Sequence, residues 1–322
     1  MKASAGFSPV PGEEPGCHLS KKAKVCLGIL LCVLVAGTIV AVVVGVLKWP
    51  RTPPHREWNG TGTTPHFSEI VLGRCYTYTQ VLRPELRLYS TKQPEKSFET
   101  HKDCGQIGKA FMNAFLSKDP CNSSEQDYQL LLKLTNQTTP CHTNVFWSKS
   151  NQLAHQYTRV RQDMFTLEDT LMGYIADGLD WCGDAGSSEM NYQSCPHRRK
   201  DCINNPTSVF WDTVSKRFAE NACGVVQVVL NGSISNTFDE NSTFGRVEIH
   251  NLHPGKVSRL QAWVMHDIGG VHSHSCSSPI INDLKFILSK RNISFTCQDD
   301  YRPIKFLQCV KNPDHSSCSS II

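Results

Sequence analysis

The chain has 322 residues, 15 cysteines, 33 Lys and Arg against 29 Asp and Glu for a net charge of +4, and 39% hydrophobic residues. At a soft ~150 residues per domain this is a two-domain length. Its 6 Trp, 8 Tyr and 14 Phe exclude low-complexity disorder, and a single long apolar stretch excludes a polytopic membrane protein. Cysteine, at about 5%, is too sparse for a pure disulfide scaffold and too frequent for a reducing cytosol.

Residues 1–24 read as a cytosolic tail. Val25 to Leu47 carries no charge, and as a helix reaches roughly 34 Å, enough for a ~30 Å hydrocarbon core. A buried helix would keep polar positions on one face, and a cleaved signal peptide would have a ~7–15-residue apolar core and a small-residue cleavage site. Neither fits, so 25–47 is expected to be an uncleaved transmembrane signal anchor. Lys21, Lys22 and Lys24 precede it, which leaves the N-terminus inside, although Lys48 and Arg51 flank the far side. The expectation is a type II cell-surface protein contacting the bilayer through 25–47. The six N-x-[ST] sequons, at Asn59, Asn122, Asn136, Asn231, Asn241 and Asn292, all follow the span, as a lumenal C-terminal part requires.

The cysteines and the charge divide at the same place. Cys17, Cys26 and Cys32 belong to the tail and span, leaving twelve beyond them, an even number that reads as six disulfides. Cys17 and Cys26 are either palmitoylated or plain thiols. There is no C-x-x-C; His272-Ser-His274-Ser-Cys276 offers metal ligands but reads better as a polar loop ending in a disulfide cysteine, so no metal is expected. The tail is +2 (Lys2, Lys21, Lys22 and Lys24 against Glu13 and Glu14) and Lys48 adds one, so the ectodomain is close to neutral and no nucleic acid is expected as a partner.

Residues 48–66, rich in Pro, Gly and Thr, read as a stalk. Residues 67–202 are expected to form a mainly helical subdomain. Ile107, Ala110, Phe111, Ala114 and Phe115 follow helical spacing. Ser124-x-x-Asp127 reads as a capping box before a helix over 128–134, residues 148–162 read as helix, and Thr166-Leu-Glu-Asp169 caps a helix ending near Gly178. Residues 203–322 are expected to form an α/β subdomain. Asn205-Pro206 starts a helix to about Ala222. Val225–Leu230, Arg246–His250, Leu260–His266 and Ile293–Cys297 read as strands, and Ser278-Pro279 starts a helix to Lys290. The predicted fold is therefore mixed α/β, with a mainly parallel four-stranded sheet flanked by helices and a cleft at the junction of the two parts.

No G-x-G-x-x-G, P-loop or G-x-S-x-G is present. Trp211, Ser215 and Phe218 share a helix face; unaided, this reads as a core tryptophan with a backbone-bonded serine. Glu168 and Asp169 fall in a first helical turn, where carboxylates suit the dipole. Asp177, nine residues past Glu168, can share a pocket with it only if the helix breaks, as Gly173 and Gly178 permit. Glu248 reads as an exposed strand carboxylate, alternating with Val247 and Ile249; replacing it with Gln would then change stability by about 1 kcal/mol or less.

Phe146-Trp147-Ser148, Asp163 to Leu171, Val209-Phe-Trp211 and Asn241-Ser-Thr-Phe-Gly245 with Glu248 resemble the ADP-ribosyl cyclase / cyclic ADP-ribose hydrolase family. The anchor topology resembles its type II member rather than the lipid-anchored one. The resemblance implies cleavage of the nicotinamide–ribosyl bond of NAD⁺ to ADP-ribose and cyclic ADP-ribose, and hydrolysis of cyclic ADP-ribose, with NAD⁺ a substrate and no cofactor. It implies Glu248 as the catalytic glutamate, with Glu168, Trp211 and Ser215 as further catalytic groups. Trp147, Ser148, Lys149, Asp169, Asp177, Thr243 and Phe244 would bind substrate. It pairs Cys75 with Cys104, Cys121 with Cys202, Cys141 with Cys223, Cys182 with Cys195, Cys276 with Cys297 and Cys309 with Cys318. Lys149 departs from an expected arginine and loses bidentate phosphate geometry; residues 88–100 look like a tolerated surface insertion. The competing reading is a glycoprotein receptor that kept the fold and lost activity. A homo-oligomer is left open and no protein ligand is named by the sequence.

Overall fold

The structure, a computed structural model, describes residues 29–39, 57–84 and 102–319. Residues 57–322 form one compact unit and 1–56 another. In the latter only 29–39 are described, as helix with exposed apolar side chains; among the described residues no helix is long and apolar enough to cross a membrane. The rest of the expected 25–47 span, the tail and the 88–100 insertion lie outside the described residues.

The expected stalk is partly folded structure. Trp58 is buried, and β1 (Gly60–Thr61) pairs antiparallel with β3 (Ser194–Cys195). Thr63 Oγ1 donates to the Cys182 carbonyl. Small Gly and Thr residues here fit a tight edge pairing as well as a flexible linker, and the buried tryptophan decides between them. α1 (Phe67–Thr77) continues into a π-helical turn, Tyr78–Leu82. It packs on α2 (Cys104–Phe115), whose periodic apolar residues are all buried as their spacing requires. The Ser124–Asp127 capping box forms and leads through a 3-10 turn into α3 (Gln129–Leu134). Phe67, Phe111, Trp181 and Phe210 pack edge-on, tilted or stacked at 5.0–5.5 Å between ring centroids, within the range that favours the aromatic quadrupole.

The chain then enters the sheet earlier than its sequence indicates. β2 (Val145–Ser148) leaves the helical part and pairs parallel with β4 (Gly224–Asn231). β5 (Val257–Met265) and β6 (Ser294–Asp299) complete a wholly parallel sheet of order β2-β4-β5-β6. The expected boundary near residue 202 is thus crossed by a strand. Two helices of the connection between β2 and β4 are α4 (Asn151–Arg161) and α5 (Leu171–Ala176); the third is α6 (Pro206–Asn221), with Asn205 as its cap. α8 (Pro279–Lys290) connects β5 to β6, and α9 (Arg302–Lys311) and α10 (Ser316–Ser319) follow. Side chains alternate across the sheet. Phe146, Val226, Val228, Leu260, Ala262 and Val264 join the larger core, and Val145, Val229, Trp263 and Met265 pack on Ala154, Tyr157 and Ile304. Burial on both faces explains why β4 reads as a continuous apolar run.

The expected strand at Arg246–His250 does not form. Phe244–Glu248 is a π-helical turn running into a short helix, α7 (Ile249–Asn251). Gly245 permits this, because a Cβ there would lie 2.4 Å from the Asp239 carbonyl oxygen and 2.7 Å from the Glu240 Cα. The alternation of Val247, Glu248 and Ile249 was therefore misleading: Val247, Glu248 and Ile249 are all buried. All six disulfides form with the pairing that the resemblance implies. Cys141–Cys223 fastens the approaches to β2 and β4, the strand pair nearest the site.

Candidate active site

A cavity of ≈ 460 Å³ opens beyond the C-terminal end of β2, walled by α4, the 3-10 turn Leu167–Asp169, α6 and the Phe244–Glu248 turn. Ligand sites in parallel α/β sheets favour this end of the strands. Trp147, Ser148, Lys149, Glu168, Asp177, Trp211, Ser215, Thr243, Phe244 and Glu248 all line it. Asp169, expected to bind substrate, does not line it. Its carboxylate accepts the Thr166 amide at 2.8 Å and the Thr166 hydroxyl at 2.9 Å, closing a capping box. It fixes the turn that presents Glu168 instead.

The same turn is pressed from below by α5. A Cβ on Gly173 would lie 2.2 Å from the Leu167 carbonyl oxygen and 2.7 Å from the Glu168 Cα, so only glycine allows the approach. α5 starts after the turn and stops at Ala176, and Gly178 adopts φ 67°. That break puts Asp177 at the cavity as well, which one continuous helix would not do. On α6 the i, i+4, i+7 stripe of Trp211, Ser215 and Phe218 faces the cavity. Trp211 contacts Phe210 edge-on at 5.1 Å, so Phe210 belongs to the core and Trp211 to the site. Ser148 Oγ is buried and has no protein partner; it is free to bond a substrate oxygen, whereas an orphaned hydroxyl otherwise costs stability. Lys149, just past β2, turns the chain at φ 55°, and its ammonium reaches Asp239 at 3.1 Å.

Two glutamates at the base of the site are held in opposite states. Trp147 Nε1 donates to Glu168 Oε2 at 3.2 Å, and His155 Nε2 lies 3.2 Å from the same oxygen. Burial pushes the Glu168 carboxyl up, but the hydrogen bond and charge of His155, a backbone hydrogen bond and Trp147 outweigh it and hold the group below the usual glutamate range. Glu248 is only 7% exposed. Burial, and next the charge on Glu168, push it up to about 8, against an opposing hydrogen bond with Ser215. Near neutral pH the two glutamates thus differ: Glu168 is a carboxylate and Glu248 favours the carboxylic acid.

His155, Asn151 and Ser242 line the cavity without having been singled out from the sequence. Asn151 and His155 share an α4 face four residues apart, but nothing in their spacing points to Glu168, which only the fold brings near. Among the described residues, the group with metal-ligand spacing is His266, His272 and Asp300, none of which lines the cavity. The rings of His266 and His272 stack at 3.9 Å, and the Asp300 carboxylate pairs with His266 and Lys305.

The ADP-ribosyl cyclase family model matches residues 64–318. Rat ADP-ribosyl cyclase/cyclic ADP-ribose hydrolase 1 is 55% identical over 316 residues, 98% of each chain. The Aplysia californica ADP-ribosyl cyclase/cyclic ADP-ribose hydrolase is 30% identical over 79% of this chain and 87% of its own. Porcine CD38, solved with a covalent intermediate, ribo-F-ribose-5'-phosphate, is 57% identical, with a TM-score of 0.68 over 75% of this chain and 99% of its own. An Aplysia cyclase solved with substrate NGD and product cGDPR is 28% identical, with a TM-score of 0.68 over 80% of this chain and 98% of its own. With the family model spanning most of the folded unit and the relatives covered nearly end to end, this chain belongs to the ADP-ribosyl cyclase family.

Proposed function

We propose that the chain cleaves the nicotinamide–ribosyl bond of NAD⁺, giving ADP-ribose and cyclic ADP-ribose, and hydrolyses cyclic ADP-ribose, with Glu248 as the catalytic carboxylate. The observation that carries this reading is the buried, high-pKa Glu248 beside Ser215, facing the ionised Glu168 between Trp147 and Trp211.

The chemistry suits that arrangement. The nicotinamide of NAD⁺ is a cationic ring and leaves as a neutral molecule, so departure needs no general acid. It needs stabilisation of positive charge on the ribose C1′. Trp147 and Trp211 offer flat faces for planar groups, and the cationic ring lowers the cost of ionising Glu248 as it enters. The resulting carboxylate stabilises the oxocarbenium-like centre, by charge or by a transient bond to C1′. The covalent intermediate of porcine CD38 favours the second form in that relative. Water attack then gives ADP-ribose and a proton, which the carboxylate accepts. Attack by the adenine of the same molecule gives cyclic ADP-ribose. Ser148, Lys149, Thr243 and Phe244 all line the cavity, and their hydroxyl pair and ammonium suit the pyrophosphate.

The same reading makes the ectodomain extracellular. It is supported by the uncharged Val25–Leu47 stretch behind three lysines, by six disulfides, and by sequon asparagines that are exposed at 59, 122, 136, 241 and 292 and half-buried at 231. The decisive assay incubates purified protein with NAD⁺ and follows nicotinamide, ADP-ribose and cyclic ADP-ribose. Product from the native chain and none from folded Glu248→Gln is the expected result. No product from the native chain would leave a receptor that kept the fold.

A further inference from the structure

Two ionisable side chains of the cavity, His155 and Asp177, have no part in the proposed chemistry, and His155 is the basic one. His155 is half-buried on α4, with its side chain 18% exposed against 10% for Glu168. Its Nε2 lies 3.2 Å from Glu168 Oε2, the oxygen that also accepts Trp147 Nε1 at 3.2 Å. The Trp147 and His155 rings meet edge to face, 6.2 Å apart at 81°, so each fixes the other as well as the carboxylate. Both donors on one oxygen lock the Glu168 side chain and leave Oε1 to the cavity.

We propose that His155 is a positioning residue that supplies the positive charge keeping Glu168 ionised and fixed opposite Glu248. A glutamate this buried, facing a second carboxyl group, loses its proton at neutral pH when charge and hydrogen bonds together offset the desolvation, and the bond and charge of His155 lead those on Glu168. Tryptophan donates a hydrogen bond but no charge. Lys149, the other basic residue lining the cavity, has its ammonium on Asp239. That leaves His155, around which Glu168, Asp169 and Asp177 gather from the turn and from the end of α5. Burial pushes the imidazole toward its neutral form, but the bond to Glu168 and the charges of Glu168, Asp169 and Asp177 outweigh it and favour the protonated ring. Glu248, on the Phe244–Glu248 turn, faces the same space and answers to Glu168. The three groups form one chain of charge: His155 holds Glu168 negative, and burial, reinforced by Glu168, holds the proton on Glu248 until a cationic substrate arrives. Only the last link rests on the proposed catalytic role of Glu248.

The test is therefore made where no turnover is possible. In the full-length Glu248→Gln variant, Glu168 and Asp177 are the remaining acidic groups lining the cavity, and Glu168 is the one bonded to His155. Infrared difference spectra between that variant and the double variant with His155→Leu, at pH 6–7, read the C=O stretch of a protonated carboxylic acid. The band is expected in the double variant and absent from its parent, and it disappears when Glu168→Gln is added. If the folded double variant shows no such band, Glu168 is ionised without His155 and the proposal is overturned. Should His155→Leu fail to fold, His155→Gln serves, since it keeps an N–H donor without the charge. A protonated Glu168 at pH 6 supports the proposal, and an ionised one overturns it. In the active background His155→Leu is expected to lower kcat/KM at least tenfold, with His155→Gln recovering only part of the loss. A failure of the Glu248 reading would leave the infrared result untouched.

Discussion

Replacing Glu248 with Gln is expected to stabilise the protein, and more so as pH rises. Glu248 is 7% exposed and its carboxyl is pushed up to about 8, while the unfolded chain would hold it near 4.5. A carboxyl raised on folding favours the native state fully below its unfolded pKa, and that contribution is lost as pH climbs toward the folded pKa. At 1.36 kcal/mol per unit, the native protein gives up about 1 kcal/mol by pH 5, about 3 kcal/mol by pH 7 and about 5 kcal/mol by pH 9. Gln is neutral throughout and escapes this loss, at the cost of an altered bond to Ser215 worth about 1 kcal/mol. Glu168 is depressed rather than raised, so its contribution is lost below the window, at acid pH. His155 is raised, and its stabilisation fades as pH rises, but in both proteins alike. The measurement is unfolding of the two proteins side by side at pH 5, 7 and 9, by calorimetry or urea. At ~2–4 °C per kcal/mol for a domain of this size, the variant's midpoint should exceed the native one by several degrees at pH 7 and by more at pH 9, while nicotinamide release is abolished. A difference that stays flat with pH would mean that Glu248 is an ordinary ionised carboxylate and would remove the basis of the proposed mechanism.

Trp147→Phe keeps the aromatic face but removes one of the two donors to Glu168, so kcat/KM should fall about tenfold, corresponding to ~1.4 kcal/mol, in steady-state assays with NAD⁺. Gly173→Ala drives a Cβ into the Leu167 carbonyl and the Glu168 Cα; a loss of about 2 kcal/mol in urea unfolding, with an activity loss beyond what the unfolded fraction explains, is expected. Lys149→Arg restores a bidentate donor and should lower KM for NAD⁺ by about threefold to tenfold without changing kcat, measured at low and moderate salt. Protease added outside intact cells should cut residues beyond 57 and spare residues 1–24, and an N-glycan-removing enzyme should reduce the mass of the chain in steps; resistance of the whole chain would refute the type II topology.

The legible parts of this sequence were those fixed by local rules. Helical spacing placed α2, the capping boxes at Ser124 and Thr166 placed two turns, and Asn205-Pro206 placed α6 with its Trp211–Ser215–Phe218 face. What failed were readings in which tertiary packing overrides the local pattern. Val145–Ser148 is four residues long and abuts the helix expected over 148–162, so no strand pattern stands out there, while its pairing partner lies some eighty residues away. Arg246–His250 alternates as a strand does, yet the π-helical turn buries Val247, Glu248 and Ile249 together. The stalk composition stopped short of showing that Trp58 folds back onto the body. Asp169 was assigned to substrate because a family pattern of neighbouring acids does not say which oxygen faces the cavity; the capping geometry does.

The same limit explains why the site's chemistry was invisible as a pattern. Glu168 and Glu248 are eighty residues apart in sequence, and each alone reads as an unremarkable surface acid. Their roles follow from contrast. Identical side chains acquire opposite protonation states because one receives Trp147 and His155 while the other is buried against Ser215 and repelled by its neighbour. Pairs of titratable groups pushed apart in this way mark acid–base assignments. Here the contrast also sets the order of events. In the proposed mechanism Glu248 keeps its proton beside the ionised Glu168 and gives it up as a cationic ring enters, so the carboxylate meant to stabilise the ribosyl cation forms on substrate binding.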